Sequence, residues 1–357
     1  MEKVSLAVVG NGLIGKSHIS RILELDHLSL CAIVNPGKSG AVLASELGVN
    51  HYSGLEELFA AESVDGVVIA TPNNLHADQA RLCIDANTAT LIEKPLTQSL
   101  FEAKSLLEYY ESARHQPPML VGHHRTYSSF IRRAGEVIRA GKIGQLTFVN
   151  GSALFHKPAD YFQTGVWRTL KGGGPILINL IHEVGIMRYL VGEIQEVFAF
   201  SSSSARGFEV EDSCTIALKF ENGALGSFAL SDVSASTRSW EQTTGENPSF
   251  WRDKQEACYH ISGTRGSLSL PTMKLQSFPS DELCSWLNPM NTSFENLEVC
   301  DPLTEQLTSF AEVIKGRMDP KVSLYDGLAN LKVVEAIATS AKRNKPIKIA
   351  DLERSIS

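Results

Sequence analysis

A lysine closes a short apolar run at Leu91-Ile92-Glu93-Lys94-Pro95, and the proline stops the strand at once. An ammonium group at a strand end can favour negative charge developing on a substrate oxygen. If desolvated, it can also lower its own pKa and join a proton transfer. Far along the chain, His182 lies in an apolar helical stretch, about Pro175 to Leu190, behind the glycine run Gly172-Gly173-Gly174. An imidazole titrates near neutrality and suits proton exchange with a hydroxyl. Asn179, three residues earlier and expected on the same helix face, can orient a substrate or the ring but cannot take a proton. These groups fit hydride removal from an alcohol, in which the hydroxyl proton must leave as the carbonyl forms, while the hydride chemistry belongs to a cofactor. Each has an ordinary alternative: Lys94 as a solvated charge, His182 as a hydrogen-bonded core histidine.

A redox carrier needs a cradle, and the N-terminus reads as one. Val4 to Val9 is a valine-rich run suited to a strand buried on both faces. Gly10-Asn11-Gly12-Leu13-Ile14-Gly15 follows and leads into a helical pattern, which is G-x-G-x-x-G between strand and helix. Gly10 permits the tight turn, Gly12 lets a pyrophosphate approach the backbone, and Gly15 lets helix and strand pack closely. The helix N-terminus then offers its partial positive charge to the phosphates. At the end of the second strand, Leu28 to Val34, an acid would bond the ribose 2′-hydroxyl and repel a 2′-phosphate. Here Asn35-Pro36-Gly37-Lys38-Ser39 stands instead. Asn35 can bond a hydroxyl, Lys38 and Ser39 could hold a phosphate, and both NAD and NADP stay open.

The elements that must position these groups are regular in the first third. Strand patterns (Gly66 to Ala70, Thr88 to Ile92, Met119 to Gly122) alternate with helical ones (Ala41 to Leu47, Leu55 to Ala60, Ala77 to Ala86, Leu100 to Ser112). That alternation predicts a doubly wound parallel sheet, which binds ligands at the carboxyl ends of its strands. Gly10, Asn35, the turn Thr71-Pro72-Asn73 before His76, Glu93-Lys94 and His123 all fall there. Beyond His123 the rhythm changes to a helix over 130–140 and then to strand-like stretches (146–155, 194–201, 213–220, 224–231, 257–262, 266–270), with a hairpin signal at Glu221-Asn222-Gly223. A largely antiparallel open sheet follows. Residues 232–256 read as a loop over the site and 276–300 as irregular. The expected division is a dinucleotide-binding domain over 1–123 and an α/β domain over 124–357, with a C-terminal helix packing back on the first.

Composition bounds the partners. The formal net charge of −7 argues against nucleic acid, and no apolar run approaches the roughly 18 to 20 residues of a membrane span. With no signal-peptide pattern at the N-terminus, a cytoplasmic protein is expected. The six scattered cysteines read as reduced, buried small hydrophobes. His123-His124 lacks a spaced third ligand and His182-Glu183 is not His-Glu-x-x-His, so no metal is expected.

Together the glycine loop at 10–15, Ala70-Thr71-Pro72-Asn73-Asn74-Leu75-His76, Glu93-Lys94-Pro95, the glycine run before a His-bearing helix, and Tyr325-Asp326-Gly327-Leu328 to Lys345-Pro346 resemble the Gfo/Idh/MocA oxidoreductases. The resemblance spans nearly the whole chain. It implies a Rossmann domain with a second, mostly antiparallel α/β domain, and NAD(P)-linked chemistry on a sugar, polyol or related alcohol. It implies that Lys94 touches the reacting oxygen and that His182 is the acid/base. His123 and Arg125 are expected to border the substrate pocket, and His76 to support the nicotinamide end. Trp167-Arg168 resembles a recurrent family element and is expected to line the pocket; His156 and Tyr161 are weaker candidates. A homodimer or homotetramer through the second-domain sheet is expected by the same analogy. The pattern of inositol dehydrogenases has acids where this chain has Ile178 and Gly185, so the substrate is not simply inositol. Those two losses also motivate an alternative, a non-catalytic dinucleotide-binding sensor on the same scaffold. A sharp reversal at Lys94 predicts a cis Lys94–Pro95 bond.

Overall fold

Apolar strands buried on both faces set the first architecture. In the computed structural model, which describes residues 3–354, they alternate with helices: β1 (Val4–Val9), α1 (Leu13–Glu24), β2 (Leu28–Val34), α2 (Lys38–Leu47), β3 (Asn50–Tyr52), α3 (Leu55–Ala61), β4 (Gly66–Ile69), α4 (His76–Asp85), β5 (Ala89–Glu93), α5 (Leu100–Ser112) and β6 (Met119–Gly122). The six strands pair in parallel in the order β3-β2-β1-β4-β5-β6. The order reverses between β1 and β4, the crevice where such sheets take ligands. β3 is an addition to the sequence reading; its three residues are only partly covered and carry no apolar run to announce them. Local chemistry ends the helices where expected: Ser99 caps α5 by accepting from Glu102 N, and Gly48 closes α2 in the left-handed region at φ 68°.

The second region opens with α6 (Ser129–Arg139), β7 (Leu146–Leu154), α7 (Ala159–Gln163), α8 (Pro175–Ile178), α9 (Leu180–Val191), β8 (Ile194–Ser202), β9 (Ser213–Phe220) and β10 (Leu225–Ser231). It continues through α10 (Trp240–Thr244), β11 (Tyr259–Gly263), β12 (Gly266–Leu270), β13 (Lys274–Ser277) and β14 (Asn291–Phe294). The chain ends in α11 (Pro302–Ile314), α12 (Leu324–Arg343), β15 (Ile347–Lys348) and α13 (Ile349–Arg354). Nine strands form one sheet, β14-β13-β12-β11-β7-β10-β9-β8-β15, antiparallel except for the β7–β10 pair. The chain divides into two units, one reaching Tyr127 and including Pro302–Leu331, the other Ser128–Asp301 with the residues from Lys332. Leu307, Phe310, Ala311 and Val313 of α11 belong to the core of the first unit. A Cβ at Gly66 would meet Ile314 Cδ1 at 2.8 Å and Phe310 Cζ at 3.0 Å, so that glycine lets α11 seat on β4.

Several expectations change. The stretch 175–190 is two helices: Asn179, at φ −108° and ψ −53°, ends α8 and starts α9. It sits at a break, and the shared continuous helix face with His182 does not form. Residues 232–256 are not simply a covering loop, because Trp240 is a core anchor, edge-on to Phe130 and Tyr259 at 6.2 Å each, while Phe250 and Trp251 are exposed. Residues 276–300 supply the edge strand β14. Cys83, Cys214 and Cys258 are buried, but Cys31 and Cys300 are half-buried and Cys284 is exposed. No helix among the described residues is long and apolar enough to cross a membrane.

Candidate functional site

The glycine loop has the dimensions of a ligand cradle. Gly10 has φ 93°, and a Cβ there would lie 2.7 Å from Ala70 O. A Cβ at Gly15 would lie 2.1 Å from Gly10 O, whereas one at Gly12 would meet nothing within 4 Å. Two glycines are therefore demanded by backbone packing and the third leaves open room. No side chain caps the N-terminus of α1 and no acid lies in its first turn, so its amides face outward uncompensated. Leu13 is 89% exposed at this mouth and Ile14 is half-buried. At the end of β2, Asn35 Nδ2 donates to Asn11 Oδ1 (3.0 Å), Asn11 Nδ2 donates to Ser39 Oγ (3.2 Å), and Gly37 N donates to Asn35 Oδ1 (2.8 Å). α2 starts at Lys38, again with no acid in its first turn. These residues fit a dinucleotide, with open backbone at Gly12 for phosphates and hydroxyl and amide groups at 11, 35 and 39.

The neighbouring strand ends are braced by histidines. The turn Thr71-Pro72-Asn73 is exposed to half-buried, and Thr71 Oγ1 donates to Gln79 Oε1 (2.6 Å). His76 is buried, with Nδ1 at 3.0 Å from Pro95 O and Nε2 at 2.9 Å from Thr71 O, so one ring ties two strand-end turns together. Burial pushes its pKa down although both carbonyls favour the protonated ring. Glu93 is buried and faces His18 of α1, Oε1 to Nε2 at 2.8 Å, while Oε2 accepts from Lys94 N at 3.2 Å. Burial acts to raise the Glu93 carboxyl; the His18 hydrogen bond and the charges of His18, His124 and Lys94 outweigh it and hold it below the usual range. Gly122 leaves the room, since a Cβ there would meet Glu93 Oε1 at 2.9 Å. Lys94 is half-buried and the Lys94–Pro95 bond is cis, as the reversal requires. His123 is buried, with Nε2 3.2 Å from Asn330 Nδ2, and Arg125 is buried beside it in sequence. His124 is pushed down to about 4 by burial.

In the second unit the expected residues gather round one that the sequence reading did not single out. Lys157, buried after β7, donates from Nζ to Asn179 Oδ1 (2.8 Å) and pairs with Asp232 Oδ2 at 3.4 Å. Arg206 pairs with the other Asp232 oxygen at 2.9 Å and donates to Lys157 O at 2.8 Å. Burial lowers the Lys157 pKa against the pull of Asp232. His182 is buried at the start of α9, its backbone N bonded to Asn179 O at 3.1 Å. Glu183, also buried, accepts from Tyr259 OH. Arg168 lies over the Tyr161 ring at 3.9 Å, Lys157 Nζ over the same ring at 4.9 Å, and Trp167 is exposed. His156 is exposed and its Nδ1 lies 3.0 Å from Val233 O.

The glycine run is a packing seam. A Cβ at Gly173 would lie 2.3 Å from Trp167 O, and one at Gly174 would lie 2.5 Å from Glu211 Oε1. Glu211 in turn accepts from Ile176 N at 2.8 Å, and burial raises its pKa. Lys157, Asp232, Arg206 and Glu211 escaped the sequence reading because they come from separate segments. The available signal was a single lysine inside the apolar stretch Leu154-Phe155-His156-Lys157-Pro158.

The comparisons agree with this geometry. Residues 4–123 match the family model described as "Oxidoreductase family, NAD-binding Rossmann fold", and residues 131–269 match the GFO/IDH/MocA C-terminal domain. D-xylose 1-dehydrogenase (NADP(+)) 2 of Haloferax volcanii is 23% identical over 96% of this chain and 98% of its own length. The scyllo-inositol 2-dehydrogenase (NAD(+)) of Bacillus subtilis is 26% identical over 99% and 98%. An oxidoreductase from Agrobacterium radiobacter, solved in complex with NAD+, L-tartaric acid and magnesium, shares the fold with a TM-score of 0.81, 19% identity and coverage of 98% and 99%. The chain belongs to the Gfo/Idh/MocA oxidoreductase family.

Proposed function

We propose that this family member is an NAD(P)-dependent oxidoreductase acting on CH–OH groups of a small polyhydroxylated substrate, a sugar, an inositol-like polyol or a cyclic hydroxy acid. The first unit holds the dinucleotide at Gly10, Gly12, Gly15, Asn11, Asn35 and Ser39, and the second recognises the substrate. The bound nicotinamide supplies the hydride chemistry. Lys94 polarises the reacting oxygen and His182 exchanges its proton, while Asn179, held through Oδ1 by Lys157, keeps its amide N–H groups as donors for the substrate. The observation that carries this reading is the placement of Lys94. It ends a fully buried strand at the carboxyl edge of the parallel sheet, on backbone fixed by the buried Glu93–His18 pair.

The β2 end carries no acid, and Lys38 and Ser39 open α2, so both NAD and NADP are accommodated. The two relatives described above carry NADP(+) and NAD(+) in their names, one each. The absent acids at Ile178 and Gly185 motivate a non-catalytic sensor as the second reading. Buried Asp232 and half-buried Glu211 supply carboxylates around Asn179 and α8 by another route, which favours the enzyme. Exposed Phe148, Phe200 and Leu225 on the nine-stranded sheet support self-association through that sheet as a dimer or tetramer. The direct test is nicotinamide absorbance with sugars, inositols and hydroxy acids. Turnover lost in Lys94→Ala and in His182→Ala supports the enzyme; tight dinucleotide binding with no turnover across the panel supports the sensor. Light scattering of the purified chain reports the oligomer.

A further inference from the structure

In the second-unit cluster one cation stands outside the ion pairs. Lys157 and Arg206 share the buried Asp232 carboxylate. Arg168 is half-buried and has no carboxylate within ion-pair distance among the described residues. Its Nη1 donates to Tyr161 O at 2.5 Å; among the described residues Nε, sealed from water, has no partner and no acceptor meets Nη2. The guanidinium is nevertheless held in place. It stacks on Tyr161 at 3.9 Å and lies 5.5 Å from the Trp167 ring; Gly165 packs against it so closely that a Cβ there would meet Cζ at 2.9 Å. A planar fork kept rigid, partly desolvated and without an acid is built to receive one.

Resting on the reading above that this unit recognises substrate, we propose that Arg168, flanked by Tyr161 and Lys157, docks a substrate carboxylate. The substrate class is then a polyhydroxylated acid, aldonic, uronic or cyclic, and not a neutral sugar or inositol. One guanidinium outside the ion pairs matches a monoanion. A phosphate dianion would need a second, and Lys157 and Arg206 are already engaged with Asp232, with Glu241 and Glu211 also interacting with Lys157. Lys157, bonded at once to Asn179 and Asp232, sets the distance between this anchor and the residues about His182.

The test is calorimetric binding, with oxidised dinucleotide present, of matched pairs differing only in CH2OH against COO⁻: D-glucose with D-glucuronate, D-galactose with D-galacturonate, and glucose 6-phosphate as the dianion. The acid of at least one pair should bind at least about 10-fold tighter than its neutral partner, and Arg168→Gln should erase that preference, a loss of about 10- to 100-fold for a charge-assisted pair. Arg168→Lys keeps the charge without the fork and should fall between. Circular dichroism of each variant confirms folding. Equal affinity within every pair, no binding of either acid, tighter binding of the phosphate, or an Arg168→Gln effect equal on both partners overturns the proposal. Acid preference without nicotinamide turnover would leave this anchor standing and remove the oxidoreductase roles of Lys94 and His182. Turnover without acid preference would do the reverse.

Discussion

The carboxyl end of the parallel sheet and the Lys157–Asp232 cluster place reactive groups by opposite means. At the sheet, short contiguous motifs suffice, because each strand end delivers its next residues to the same edge: Gly10 after β1, Thr71 after β4, Lys94 after β5. In the second unit no motif is contiguous. Lys157 follows β7, Asn179 divides α8 from α9, Arg206 follows β8, and Asp232 follows β10; buried charge holds them together. A backbone-built site is insensitive to most side chains and sensitive to any added Cβ. A charge-built site is the reverse. The largest effect expected belongs to the chemistry itself. Lys94→Ala should lower kcat/KM by about 10³-fold with dinucleotide affinity unchanged in a fluorescence titration; unchanged turnover would take Lys94 out of the reaction.

The charge-built cluster should fail through stability. Asp232→Asn leaves Lys157 and Arg206 without a carboxylate and should destabilise the second unit by about 3 kcal/mol in urea unfolding. A loss well under 1 kcal/mol would mean the pair is solvated. The sheet end has its own titration. His124 has a folded pKa of about 4 against an ordinary 6.5, so the unfolded chain binds the proton first. Stability should therefore fall as pH drops from about 6.5 towards 4, by at most about 3 kcal/mol from this ring, and His124→Gln should flatten that slope. Glu93 adds its own loss only at lower pH, because its folded pKa is depressed. Backbone packing sharpens the contrast with smaller effects. Gly15→Ala, facing Gly10 O at 2.1 Å, should cost about 2 kcal/mol of stability, whereas Gly12→Ala, in open space, should leave stability intact and weaken dinucleotide binding about 10-fold.

The same contrast explains what the sequence discloses. Strand alternation, the glycine loop and Glu93-Lys94-Pro95 are readable because strand period and proximity in the chain carry the information. β3 is not, having no apolar run. The break at Asn179 is not either, since Pro175 to Leu190 is helical by composition, and the bond from Lys157 to Asn179 is a property of the fold. Asp232 and Glu211 look like ordinary acids in a chain with 40 of them until folding brings them to Lys157 and to the start of α8. Arg168 is readable as a candidate, but its lack of an acid is a property of the packed structure alone.

The seam at Gly173 and Gly174 has a mechanical consequence. With no slack between Gly173 and the Trp167–Arg168 turn, or between Gly174 and the carboxylate that caps α8, a pull on the guanidinium is transmitted to the short helix that leads into His182. If Arg168 and His182 act as proposed, recognition and proton exchange lie along one closely packed segment, and a ligand gripped off-centre would also misaim the imidazole.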